Sequence, residues 1–97
     1  MRPTTLLSLA LALLLVACAP SPVRTTFTVH GMHCDGCSGA ITEAISTLEG
    51  VIEASADHEL GTAVAVHRPD LAPVERLTSE IESLGYTVVA GRSEPLS

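Results

Sequence analysis

Lysine and tryptophan are both missing from this 97-residue chain, and its aromatic side chains are one phenylalanine and one tyrosine. Five arginines stand against eleven aspartates and glutamates, a formal net charge of −6. Nucleic-acid binding needs a basic footprint, so nucleic acid is excluded as a partner. An acidic surface aids solubility, steers cations weakly or meets a basic partner. No internal repeat, low-complexity tract or phosphate-cradling glycine loop occurs. Cysteine is scarce too: Cys34 and Cys37 form a pair, and Cys18 stands alone after an apolar run.

That run extends roughly from Leu6 to Val16, behind Met1 and Arg2. About eleven residues make ~16 Å of helix, too short for a ~30 Å hydrocarbon core. A basic start, a short apolar stretch and small residues after it read as a secretion signal. Leu15-Val16-Ala17-Cys18 resembles the lipobox of bacterial lipoproteins, in which the signal is cut before the cysteine and the thiol is acylated. Residues 1–17 are therefore expected to be a lipoprotein signal peptide, and 18–23 a lipidated Cys18 with a short tether. Residues 24–90 would fold, and 91–97 would form a flexible tail. Loss of Arg2 leaves four arginines against eleven carboxylates, or −7. The expected location is the bacterial cell envelope, outside the cytoplasm, lipid-anchored to a membrane.

Within the domain the apolar period changes along the chain. Arg24 to His30 alternates and is rich in β-branched residues, which is strand chemistry. From Ser38 the residues Ala40, Ile41, Ala44, Ile45 and Leu48 recur at helical spacing up to Gly50. Val51–Ala56 and Thr62–His67 read as strands around a turn at Asp57–Gly61. Asp70 is the expected N-cap of a second helix, whose buried stripe would be Val74, Leu77, Ile81 and Leu84. Gly85 would close that helix in a left-handed conformation, and Tyr86–Ala90 would be the last strand. The order predicts an α+β, ferredoxin-like βαββαβ sandwich, a four-stranded antiparallel sheet with two helices on one face.

The stretch Gly31-Met32-His33-Cys34-Asp35-Gly36-Cys37 carries the chemistry. Two thiols three positions apart lie in a glycine-punctuated turn between a strand and a helix. Here the chain resembles the heavy-metal-associated domain family. Gly31, Met32, Cys34 and Cys37 match its Gly-Met-X-Cys-X-X-Cys motif. The resemblance runs from about Thr25 to Ala90 and includes Leu48-Glu49-Gly50-Val51 and Leu84-Gly85-Tyr86. It implies metal binding by both thiolates and transfer by ligand exchange, with no catalysis. It also implies that Met32 packs inward beneath the loop, and that Tyr86 either shields the site or caps the core edge.

Thiolates are soft ligands, and they select Cu(I) or other thiophilic ions over hard cations. Cu(I) is the leading expectation; Hg(II) is chemically as good, and Zn(II) or Cd(II) would need help from His33. Zinc usually takes four ligands in a closed site, and the loop offers two thiols. Cys37, expected to open the helix, would ionise readily near the positive end of its dipole. His58 is an outside candidate for a weak second site. His30 and His67 would be structural or solvated, and Asp35 a solvated carboxylate.

The function expected is an extracytoplasmic, membrane-tethered carrier that captures a soft ion and passes it on or sequesters it. Its partners would be the ion, the membrane and a transient protein such as a metal-transporting ATPase or another carrier. A thiol–disulfide exchange protein using the same pair is the competing reading.

Overall fold

The computed structural model describes residues 21–96. The expected signal peptide and Cys18 lie outside the described residues. Six elements follow one another: β1 (Val23–His30), α1 (Asp35–Ser46), β2 (Val51–Asp57), β3 (Thr62–His67), α2 (Val74–Ser83) and β4 (Thr87–Pro95). The strands form one antiparallel sheet in the order β2-β3-β1-β4. The predicted βαββαβ architecture is the one observed. Among the described residues no helix is long and apolar enough to cross a membrane.

The alternation in β1 decides which face is covered. Thr25, Phe27 and Val29 are 0–2% exposed, while Arg24, Thr28 and His30 are exposed on the other face. Ala63 and Ala65 of β3 continue the buried face. Their small side chains leave room for Ile41 and Ile45 of α1 and Leu77 and Ile81 of α2, all fully buried. Burying each of these large side chains contributes roughly 1.5–3 kcal/mol. Met32 lies in the same core at 7% exposure, as the resemblance implied.

Antiparallel pairing gives the domain two ends. His30 lies beside Thr87, and Thr28 beside Thr62. That end carries the thiol loop and the β2–β3 turn. At the opposite end Val23 lies between His67 and Pro95, and there the N-terminal segment joins the domain. Eight residues of β1 separate the ends by roughly 26 Å at ~3.3 Å each.

Several local expectations are corrected. Helix α1 starts at Asp35, not Ser38, because the carbonyl of Cys34 already accepts the amides of Cys37 (3.1 Å) and Ser38 (3.3 Å). It ends at Ser46, and Ala40 is exposed rather than part of the buried stripe. Asp70 does not cap α2. Its carboxylate accepts from the Arg68 guanidinium at 3.1 Å, and Pro73 occupies the N-cap without a side-chain bond. The amides of Leu71 and Ala72 turn back onto the Arg68 carbonyl first, so the helix waits until Val74. Leu84 is the C-cap of α2 and is 42% exposed, because the chain turns away at Gly85, φ +101°.

The expected flexible tail at 91–97 is strand as far as Pro95. Gly91 pairs with Phe27, Arg92 with Thr26, and Ser93 with Thr25. A side-chain relay holds this extension. The Ser93 hydroxyl lies 2.7 Å from Thr25 Oγ1, which lies 2.7 Å from His67 Nε2. His67 Nδ1 donates to the carbonyl of Ala72 at 2.7 Å, since a carbonyl only accepts. His67 and Thr25 are fully buried, so these bonds satisfy groups that would otherwise be costly to bury.

Candidate metal centre

Strand β1 delivers the chain to Gly31, whose φ of +110° suits glycine alone. A Cβ there would also sit 3.2 Å from the Tyr86 ring, so this glycine lets the ring lie against the loop. Met32 then anchors the turn in the core. Cys34 takes the N-cap position with extended backbone, φ −158° and ψ 170°. Cys37 falls within the first turn of α1, half-buried, while Cys34 is exposed.

The two sulfurs are 3.4 Å apart. A disulfide needs ~2.05 Å; two bonds of ~2.3 Å, the zinc–thiolate length, span at most ~4.6 Å. The reduced pair lies between these limits. A movement of about 1 Å either way closes a disulfide or opens a linear two-sulfur grip.

Cys37 is the sulfur prepared to ionise. Its pKa is lowered from the usual 9.0 to about 7. The backbone amide of His33 donates to the thiolate and contributes most, followed by the Tyr86 hydroxyl and the Cys34 thiol. Partial burial opposes them, and the Cys34 amide adds a smaller favourable bond. The sequence reading credited the helix end, whereas the loop ahead of the helix supplies the principal donor. Tyr86 is raised in turn, first because its hydroxyl bonds the Cys37 sulfur. Tyr86 thus stands against the loop, its ring beside Gly31 and its hydroxyl toward the Cys37 sulfur.

Half of the Cys37 thiol is thus expected as thiolate near pH 7, and less as the pH falls. Iodoacetamide trapping should show its labelling rate rising to half its plateau near pH 7. Tyr86→Phe removes a donor to the charged form, so that midpoint should move up. A midpoint that stays put would show that the hydroxyl does not reach the sulfur.

His33 is exposed in the loop. Among the described residues no third His, Cys, Asp or Glu gathers with the thiol pair into a three-ligand group. His33 and His58 are therefore not preset as ligands. His58 turns instead to the start of α1, with Nδ1 3.4 Å from an Asp35 carboxylate oxygen and 3.5 Å from Ser38 Oγ. Asp35 itself is fully exposed, the solvated carboxylate expected. Sequence reading missed this contact, which joins residues 20 or more positions apart.

Residues 26–87 match the family described as the heavy-metal-associated domain. The periplasmic component of a mercuric transport protein from Serratia marcescens is 32% identical over 79 residues, covering 81% of this chain and 87% of that protein. Copper-transporting ATPase 1 of Mus musculus is 35% identical over 65 residues, or 67% of this chain, which spans 4% of the ATPase. Among solved structures, a CopZ metallochaperone superimposes with a TM-score of 0.66 at 29% identity, covering 68% of this chain and 98% of the other. With a family match over most of its length and a fold shared with a solved metallochaperone, the chain belongs to the heavy-metal-associated domain family.

Proposed function

We propose that the chain is a soft-metal carrier of the bacterial cell envelope, tethered through lipid on Cys18, that holds Cu(I) between Cys34 and Cys37. The observation that carries this reading is the 3.4 Å sulfur pair on an exposed rim, with one thiol already lowered to about 7. On capture each thiol releases its proton to water and each sulfur donates a lone pair to the ion. The ion then has two ligands and an open side. An incoming thiolate adds there as a third ligand. Cys34, the more exposed sulfur, leaves first, and Cys37 follows as the second incoming sulfur binds. A metal-transporting ATPase domain or another carrier would supply those sulfurs.

Hg(II) is the second reading, favoured by the Serratia mercuric transport relative, which aligns over nearly its whole length. Competition titration of the reduced protein with Cu(I), Hg(II) and Zn(II) tests both. Tight 1:1 binding of Cu(I) is expected, with zinc much weaker because two thiolates leave its four-ligand shell half filled. Zinc binding as tight as copper would overturn the assignment. The tether has its own test: Cys18→Ala should move the protein from the membrane fraction to the soluble fraction.

A further inference from the structure

The end of the sheet away from the thiols holds a buried titratable group that metal binding does not use. His67 of β3 is fully buried, as is Thr25 of β1. Both ring nitrogens are engaged. Nδ1–H donates to the Ala72 carbonyl, so Nε2 of the neutral ring is an acceptor and takes the Thr25 hydroxyl at 2.7 Å. The Thr25 oxygen in turn accepts from the Ser93 hydroxyl at 2.7 Å. A neutral imidazole therefore sets the direction of every bond from Ala72 to Ser93.

The stretch of β4 that this relay reaches is lightly held. Residues 91–96 are exposed, and β4 is an edge strand that pairs with β1 alone. Among the described residues the Ser93 hydroxyl makes the only side-chain hydrogen bond from this stretch. A register shift between Thr28 and Val29 separates it from Thr87 and Val88, which pair with His30 and Val29 beside the thiol loop. Segments with few buried contacts open at low free energy, independently of the core.

We infer that His67, Thr25 and Ser93 form an acid-operated latch: neutral His67 holds Arg92–Pro95 on β1, and protonation at Nε2 frees that stretch while the thiol end keeps its structure. This goes beyond the carrier reading and uses neither thiol.

On acidification a proton from water adds to the Nε2 lone pair, and the ring becomes a donor at both nitrogens. The two hydroxyls can reverse, with Nε2–H donating to Thr25, Thr25 to Ser93, and Ser93 to water. Reversal accommodates the proton but not its charge. The ring bonds one carbonyl and one hydroxyl, and among the described residues no carboxylate bonds it. A buried cation without a counter-charge is costly.

The charged groups on the surrounding elements lie elsewhere. Arg24 and Glu94, adjacent in sequence to Thr25 and Ser93, are exposed on the opposite face of the sheet, and Arg68 pairs with Asp70. Glu43 of α1, Glu49 after it, Glu53 of β2, and Glu75 and Arg76 of α2 are all exposed. Once the stretch is freed, water solvates the charged ring. The freed state binds one more proton than the latched state. The latch is therefore fully present at neutral pH and is lost as the pH falls through the range where imidazole titrates, ~6.5 and below.

NMR of the reduced, metal-free full-length protein in detergent micelles tests this between about pH 8 and 5. Backbone order parameters of Arg92 to Glu94 should fall from ~0.85 to below ~0.6, while those of Thr87 and Val88 stay near ~0.85. The ring nitrogen shifts of His67 report its protonation, and the two curves should share a midpoint. That comparison needs no variant, so it stands where a variant fails to fold. Ser93→Ala should loosen the stretch already at the upper pH. His67→Gln takes up no proton, so its stretch should not change with pH. Cys34→Ser with Cys37→Ser should leave the transition in place, which separates it from metal binding. A stretch still rigid at about pH 5, midpoints that differ, or equal loss of order at Thr87 and Val88 would overturn the proposal. So would Ser93→Ala as rigid as the parent, or a pH transition that survives in His67→Gln.

Discussion

Serine at both Cys34 and Cys37 is expected to abolish tight 1:1 Cu(I) binding. A hydroxyl is a hard ligand that stays protonated at neutral pH, so the substitution removes both soft donors and their charge. No third ligand group stands ready among the described residues to take over. Affinity should fall by more than about 10⁴-fold, or roughly 5.5 kcal/mol at ~1.4 kcal/mol per tenfold. The fold should be untouched, because Cys34 is exposed, Cys37 is half-buried and serine is nearly the same size. Surface changes of this kind stay within about 0.5 kcal/mol. Competition against a Cu(I) chelator measures the affinity, and circular dichroism checks the fold. A folded double variant that still holds Cu(I) tightly would remove the site from this loop.

Phe27→Ala should produce the largest loss of stability. Phe27 is fully buried at the centre of the sheet, between the β3 and β4 pairings, and it packs where Gly91 passes. Truncating a buried phenylalanine costs about 3–5 kcal/mol in transfer and cavity terms. A folded unit of this size has roughly 4–11 kcal/mol in total, at ~0.05–0.15 kcal/mol per residue. The variant should therefore lose from about a quarter to all of that stability. In urea, with a slope near 1 kcal/mol/M for small domains, the midpoint should drop by roughly 3 M. A drop under about 1 M would mean that the core does not depend on this ring.

The element order was legible in the sequence because its signals are local. Alternation from Arg24 to His30, the three-to-four spacing of Ile41, Ile45, Leu77 and Ile81, and the glycines at 50 and 85 each act within a few residues. Helix starts were less legible. Asp70 has the right chemistry for a cap, but the Arg68 guanidinium and the turn before Pro73 claimed that stretch first. The tail is illegible in the sequence for a different reason. Residues 91–95 are polar and lack a core-facing pattern, yet β1 offered an open edge, and Thr25 with His67 offered a buried partner for Ser93.

The sequence by itself determined the fold class, the core strands and helices, and the placement of two thiols at a strand-to-helix turn. Spacing and side-chain chemistry suffice for these because neighbours along the chain set them. Only the tertiary structure decided which distant groups meet: the Tyr86 hydroxyl with the Cys37 sulfur, His58 with Asp35, and Ser93 with the buried Thr25–His67 pair. Antiparallel pairing brings residues tens of positions apart to the same end, and no local pattern records that.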